Sequence, residues 1–153
     1  MVQTKCGFDS GPQGTGRDLL TLFGPTISVD IGFDPAYTYL PGAPPPNAGI
    51  KGVMALVDTG ATESCIDNLL AATLKLPIVN RREVSGSAGK HVANVYLAQV
   101  HVPTLAFTIY GAFAGVELAA GGQSHSALIG RTFLQGFTMT YEGRTGTVTL
   151  SND

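Results

Sequence analysis

Apolar and polar positions alternate along much of this chain, and the alternation predicts strands. "PTISVDIGF" (25–33) and "IKGVMALV" (50–57) each read as a strand, and the two form a hairpin interrupted by a long insertion. The insertion, residues 34–49, holds five of the nine prolines and is expected to be a stiff surface loop. "DNLLAATLKLP" (67–77) switches to helical spacing. Asp67 suits the N-cap and Pro77 the stop, so one short helix is expected there. "RREVSGSAGKHVANVYLAQVHV" (81–102) gives two strand-like arms around the pliable "GSAG", a long hairpin with a mobile tip. "TLAFTIYG" (104–111) adds another strand. "FTMTYEGRTGTVTL" (137–150) closes the chain as a hairpin turning between Gly143 and Gly146.

Residues 1–18 break this rhythm. They are Gly-rich and polar with few apolar anchors, which predicts a flexible tail ahead of a domain spanning 19–153. "GPQGTG" within them resembles a phosphate loop only superficially, because no strand precedes it and no Lys-Ser/Thr follows. Composition agrees with one compact β-rich domain: 153 residues, 44% apolar and 13% charged, with 20 glycines. A net charge of −2 and a single basic pair, Arg81 and Arg82, supply no footprint for nucleic acid or an anionic membrane. Neither a long apolar span nor a signal-peptide pattern occurs, so a cytoplasmic location is expected. Cys6 and Cys65 lack the paired spacing of a zinc site and are read as reduced thiols. No cofactor or metal is called for.

Against this background Asp58 is out of pattern. It ends the apolar run Ala55, Leu56, Val57 and is followed by Thr59, Gly60 and Ala61. An ionised carboxylate taken into an apolar setting costs several kcal/mol unless it is partnered, so a charge at this place is expected to do chemistry. The bland alternative is an ordinary Asp-Thr-Gly turn. His91, His101 and His125 are scattered, and neither a metal-binding His pair nor a serine nucleophile elbow occurs. Cys65 at the entry to an apolar helix is expected to be a structural thiol.

"LVDTGA" (56–61) and "LIGRTFL" (128–134), with the glycine-tipped hairpin between them, resemble the retropepsin-like aspartic proteases in the same order from about Thr26 to Leu150. The resemblance implies a mainly β, closed-barrel, single-lobe acid protease fold with one or two short helices. It also implies an aspartic endopeptidase acting on extended, apolar peptide segments. Asp58, Thr59 and Gly60 would be the catalytic residues, with Thr59 locking the dyad and Gly60 allowing the turn. Only one Asp-Thr-Gly is present, so the second carboxylate would come from another copy in a homodimer. The hairpin at about 83–95 would be a flap, and Ser85, Gly86, Ser87, Ala88 and Gly89 would bind substrate with Ala61, Thr62 and Ile129. Arg131 would brace the active-site loop through Glu63, because the position that is acidic in many viral members is Thr62 here. The competing expectation is a catalytically silent peptide-binding or dimerisation module on the same fold.

Overall fold

A computed structural model describes residues 2–86 and 89–152. The strands are β1 (Gln3–Lys5), β2 (Thr26–Gly32), β3 (Ile50–Val57), β4 (Cys65–Asp67), β5 (Ile78–Gly86), β6 (Gly89–Val102), β7 (Phe107–Val116), β8 (Ala127–Ile129), β9 (Thr138–Glu142) and β10 (Thr147–Ser151). Three helices accompany them: α1 (Gly16–Phe23), α2 (Asn68–Thr73) and the single turn α3 (Arg131–Leu134). The chain is mainly β, and no helix among the described residues is long and apolar enough to cross a membrane.

One sheet runs β2-β3-β8-β4-β7-β6-β5, and a further β2–β6 pairing turns the first six of these into a ring. β5 hangs outside that ring as one arm of the β5–β6 hairpin, whose pairing extends to Gly86 opposite Gly89. Gly89 has φ +95, a left-handed value that a side chain disfavours. Ser87 and Ala88 lie outside the described residues. The β2–β3 hairpin pairs Thr26 with Leu56, and the β9–β10 hairpin pairs Glu142 with Thr147, in the places the alternation predicts. Two pairings are parallel, β3 with β8 and β4 with β7. Their partners are far apart in sequence, so no local turn announces them. The inward-facing side chains of the ring, including Val29, Ile31, Val57, Ile66, Val100 and Ile129, form the core.

α2 begins as expected: the Asp67 carboxylate accepts from Leu70 N–H, and its other oxygen accepts from Leu118 and Ala119 N–H. The N-terminal segment departs from expectation. β1 pairs with β10, Cys6 N–H donates to Val148 O, and Thr26 N–H donates to Cys6 O, which holds Cys6 fully buried. Thr15 caps α1 by accepting from Asp18 N–H, and Leu20 is buried under that helix. The glycines that suggest a tail instead permit tight backbone contact. A Cβ at Gly16 would collide with Phe8 O and Thr145 O, and one at Gly146 with Gly16 itself.

The Pro-rich insertion is tied down at its base. Asp34 N–H donates to Gln99 Oε1 at 2.7 Å, the Asp34 carboxylate accepts from Ala36 and Asn47 N–H, and Tyr39 stacks on Tyr110 of β7.

Candidate active site

β3 delivers Asp58 to its place. Ala55 and Val57 face the core, and the parallel pairing of Val57 with Ile129 carries the edge of β3 onto β8, where Asp58 N–H donates to Ile129 O at 2.9 Å. The chain then turns, with Ala61 N–H donating to Asp58 O at 3.2 Å. Gly60 N–H donates to Asp58 Oδ1 at 2.8 Å. A Cβ on Gly60 would stand 3.0 Å from that same oxygen. Gly60 is not among the glycines of positive φ, so close approach to the carboxylate, not a left-handed turn, is what the position demands. Asp58 is half-buried, and Thr59 beside it is exposed.

The loop after Asp58 is clamped by the segment around α3. Arg131 Nη1 donates to Thr59 O at 2.7 Å and Nη2 to Thr62 Oγ1 at 3.0 Å. Main-chain bonds reinforce this: Arg131 N–H to Ala61 O, Thr132 N–H to Thr62 O, and Gly130 N–H to the buried Ser64 Oγ. The expected Arg131–Glu63 pair does not form. Glu63 instead binds Arg82 of β5, Nη2 to Oε2 at 2.6 Å. Thr62 faces Arg131, and Glu63 faces the hairpin arm.

Between this loop and β5 lies a cleft of about 780 Å3. Asp58, Gly60, Ala61, Thr62, Glu63 and Ser85 line it, which brings together six of the thirteen residues singled out in the sequence. Ile129 is a correction. Its side chain is buried in the core behind Asp58, so it supports the carboxylate through its carbonyl and does not line the cleft. Sequence reasoning missed Cys65, Val84, Val116 and Leu128, which give the cleft an apolar floor, and Arg82 and His91, which give it a polar wall. A single apolar residue in a strand carries no local sign of which cavity it will face.

Cys65 is a poor nucleophile here. Burial pushes its thiol above the usual value, and Glu63 and Asp58 add to that against the opposing pull of Arg82. Cys6 is pushed up to about 12 by burial alone. Among the described residues no three His, Cys, Asp or Glu side chains gather as a metal site.

No family model matches this chain, and no curated protein matches it. Among solved structures, the chain is similar to a retropepsin-like aspartic protease from Rickettsia conorii at 13% identity and a TM-score of 0.48, over 97% of this chain and 90% of that one. So distant a likeness carries no conclusion about what this chain does.

Proposed function

We propose that this chain is an aspartic endopeptidase whose catalytic dyad pairs Asp58 with Asp58 of a second copy. One observation carries the reading. A half-buried carboxylate stands at the end of a core strand, in a loop clamped by Arg131, and opens onto a cleft under a β-hairpin. A group positioned this firmly at a cleft suits acid–base chemistry better than a turn.

Two carboxylates about 3 Å apart hold one proton between them. The ionised one takes a proton from water as that water attacks the peptide carbon, and the protonated one donates to the carbonyl oxygen. Gly60 N–H fixes which way the Asp58 carboxylate faces. The exposed Thr59 is suited to bonding across the two copies. A substrate lying in the cleft would run beside β5, the outer strand of the large sheet, and bind as an added strand. The floor of Cys65, Val116 and Leu128 supports a preference for apolar side chains next to the scissile bond.

The test is hydrolysis of an extended-peptide library and its inhibition by a pepstatin-type transition-state mimic. Asp58→Asn is expected to lower kcat/KM by about 10²–10⁴-fold while leaving the melting temperature within a few degrees. Peptides bound but left uncut by the wild-type protein would establish the silent binding module instead.

A further inference from the structure

β7 is paired unequally along its two edges. On one side β6 runs opposite it without a break from Phe107 to Ala114. On the other side β4 reaches only Ala114, Gly115 and Val116. Every second residue of an antiparallel strand turns its N–H and C=O away from its partner. From Phe107 to Phe113, the groups turned away from β6 therefore meet no second strand.

Beside this open edge lies a groove of about 640 Å3, which Phe107, Thr108, Ile109 and Tyr110 line in succession. Successive side chains of a strand point to opposite faces, so a groove that touches four in a row follows the edge and not a face. Its far wall is α3 and the turn after it, with Phe133 and Phe137. Their rings and that of Phe107 form one cluster, at centroid separations of 4.7–6.3 Å. Phe107 is 37% exposed and Tyr110 54% exposed. Among the described residues no charged side chain lines the groove.

Strand edges that stay unpaired are guarded by charge or proline. The outer strands follow that rule: β5 carries Arg81, Arg82 and Glu83, β9 ends in Glu142 and β1 in Lys5. "FTIYGAF" (107–113) has neither guard. Gly111, at φ +125, leaves open space where a Cβ would stand. Such an edge offers main-chain hydrogen bonds to an extended chain, while the uncharged walls would strip water from a charged side chain and return nothing. We propose that the edge is a docking site for an extended, uncharged segment of a partner protein. The segment adds to β7 as a strand and seats an aromatic or large aliphatic side chain on Phe107, Phe133 and Phe137. The groove shares no residue with the Asp58 cleft, so it operates whether or not Asp58 cleaves peptides, and its failure leaves the protease reading standing.

The probe is a capped six-residue peptide, Thr-Val-Phe-Val-Thr-Val, beside the same peptide N-methylated at every residue, which cannot donate to an edge. Asp58→Asn protein keeps the probe whole. The unmodified peptide is expected to bind it with a Kd of about 10⁻⁵–10⁻⁴ M and to slow hydrogen exchange at residues 107–113. Methylation of the peptide should abolish binding. Adding Phe107→Glu should weaken binding about tenfold or more, whereas Leu69→Glu, an exposed position on α2 outside the groove, should leave it unchanged. Should Phe107→Glu melt early, the exchange pattern of the protein with Phe107 intact still decides. No saturation by about 1 mM peptide, equal binding of the methylated peptide, or protection that falls on β5 in place of 107–113 would overturn the site. Exchange at 107–113 that slows with protein concentration alone would overturn it too, by assigning the edge to a second copy of the chain.

Discussion

At Gly130 there is no room for a side chain. A Cβ would lie 2.5 Å from the carbonyl carbon of Glu63 and 2.6 Å from its oxygen, so the Gly-Arg of "LIGRTFL" is dictated by the clamp on the Asp58 loop. Its backbone at φ −92 would suit any residue. His125 is constrained in another way. It is 6% exposed, and its Nε2 lies 3.0 Å from Thr26 Oγ1, whose single hydroxyl proton is donated to Gly24 O. Nε2 must therefore carry the proton and donate, which leaves Nδ1 bare, buried and without a partner among the described residues. Burial lowers the readiness of the folded imidazole to protonate. The unfolded one takes up its proton near about pH 6.5, so this contribution to stability is complete above that pH and is lost as pH falls through it. Thermal melts from pH 8 to 5 should show a steeper acid-side fall for wild type than for His125→Gln. Parallel curves would remove His125 as the cause. Asp58 was legible in the sequence because a charge breaks an apolar run. His125 was not, since a lone His in a Ser- and Gly-rich loop gives no sign of burial.

Among elements, β1 and α1 were the least legible. A stretch containing Gly7, Gly11, Gly14 and Gly16 has the composition of a flexible tail, and no periodicity in three residues can announce β1. Its order comes from residues more than a hundred positions away: Cys6 N–H on Val148 O and Phe8 N–H on Gly146 O. Leu20, within the apolar run 19–23, is buried in α1. Deleting residues 1–8 should uncover Val148 and Leu150 and lower the melting temperature by about 5–15 °C, as expected for losing a small piece of core. A melt within about 2 °C of the full chain would show that β1 contributes no more than about 1 kcal/mol at this size. The β5–β6 hairpin was foreseen as an element. Its tether to the Asp58 loop through Arg82 and Glu63 was not, and as an exposed pair it is worth no more than about 1 kcal/mol.

For the whole molecule, the decisive fact is that one chain presents a single Asp58 turn. If activity resides in a two-copy site, subunit exchange must couple wild type to an inactive variant. Mixing equal amounts of wild type and Asp58→Asn and allowing exchange should lower the rate to about half that of the wild type alone, because random pairing leaves half as many wild-type dimers. A rate unaffected by the mixture, with exchange verified by mass-tagged subunits, would place the whole active site within one chain.

The sequence by itself determined whatever acts over a few residues. Alternation set the β2–β3 and β9–β10 hairpins, the Asp67 cap started α2, which ends at Thr73 and so short of the expected stop at Pro77, and the glycines at 86 and 89 marked the end of the long hairpin. It also marked Asp58 as unusual, because a charge there breaks an apolar run, whereas Gly60 and Arg131 were singled out only by the resemblance of their motifs. Only the tertiary structure decided which distant groups would meet: β3 alongside β8, Ile129 inward behind Asp58, Arg131 on Thr59 and Thr62, Glu63 on Arg82, and β1 on β10. The physical reason is that hydrogen bonds and ion pairs select partners by position in space. Chain segments that no single turn connects acquire their positions only when the ring of strands closes and the core is buried.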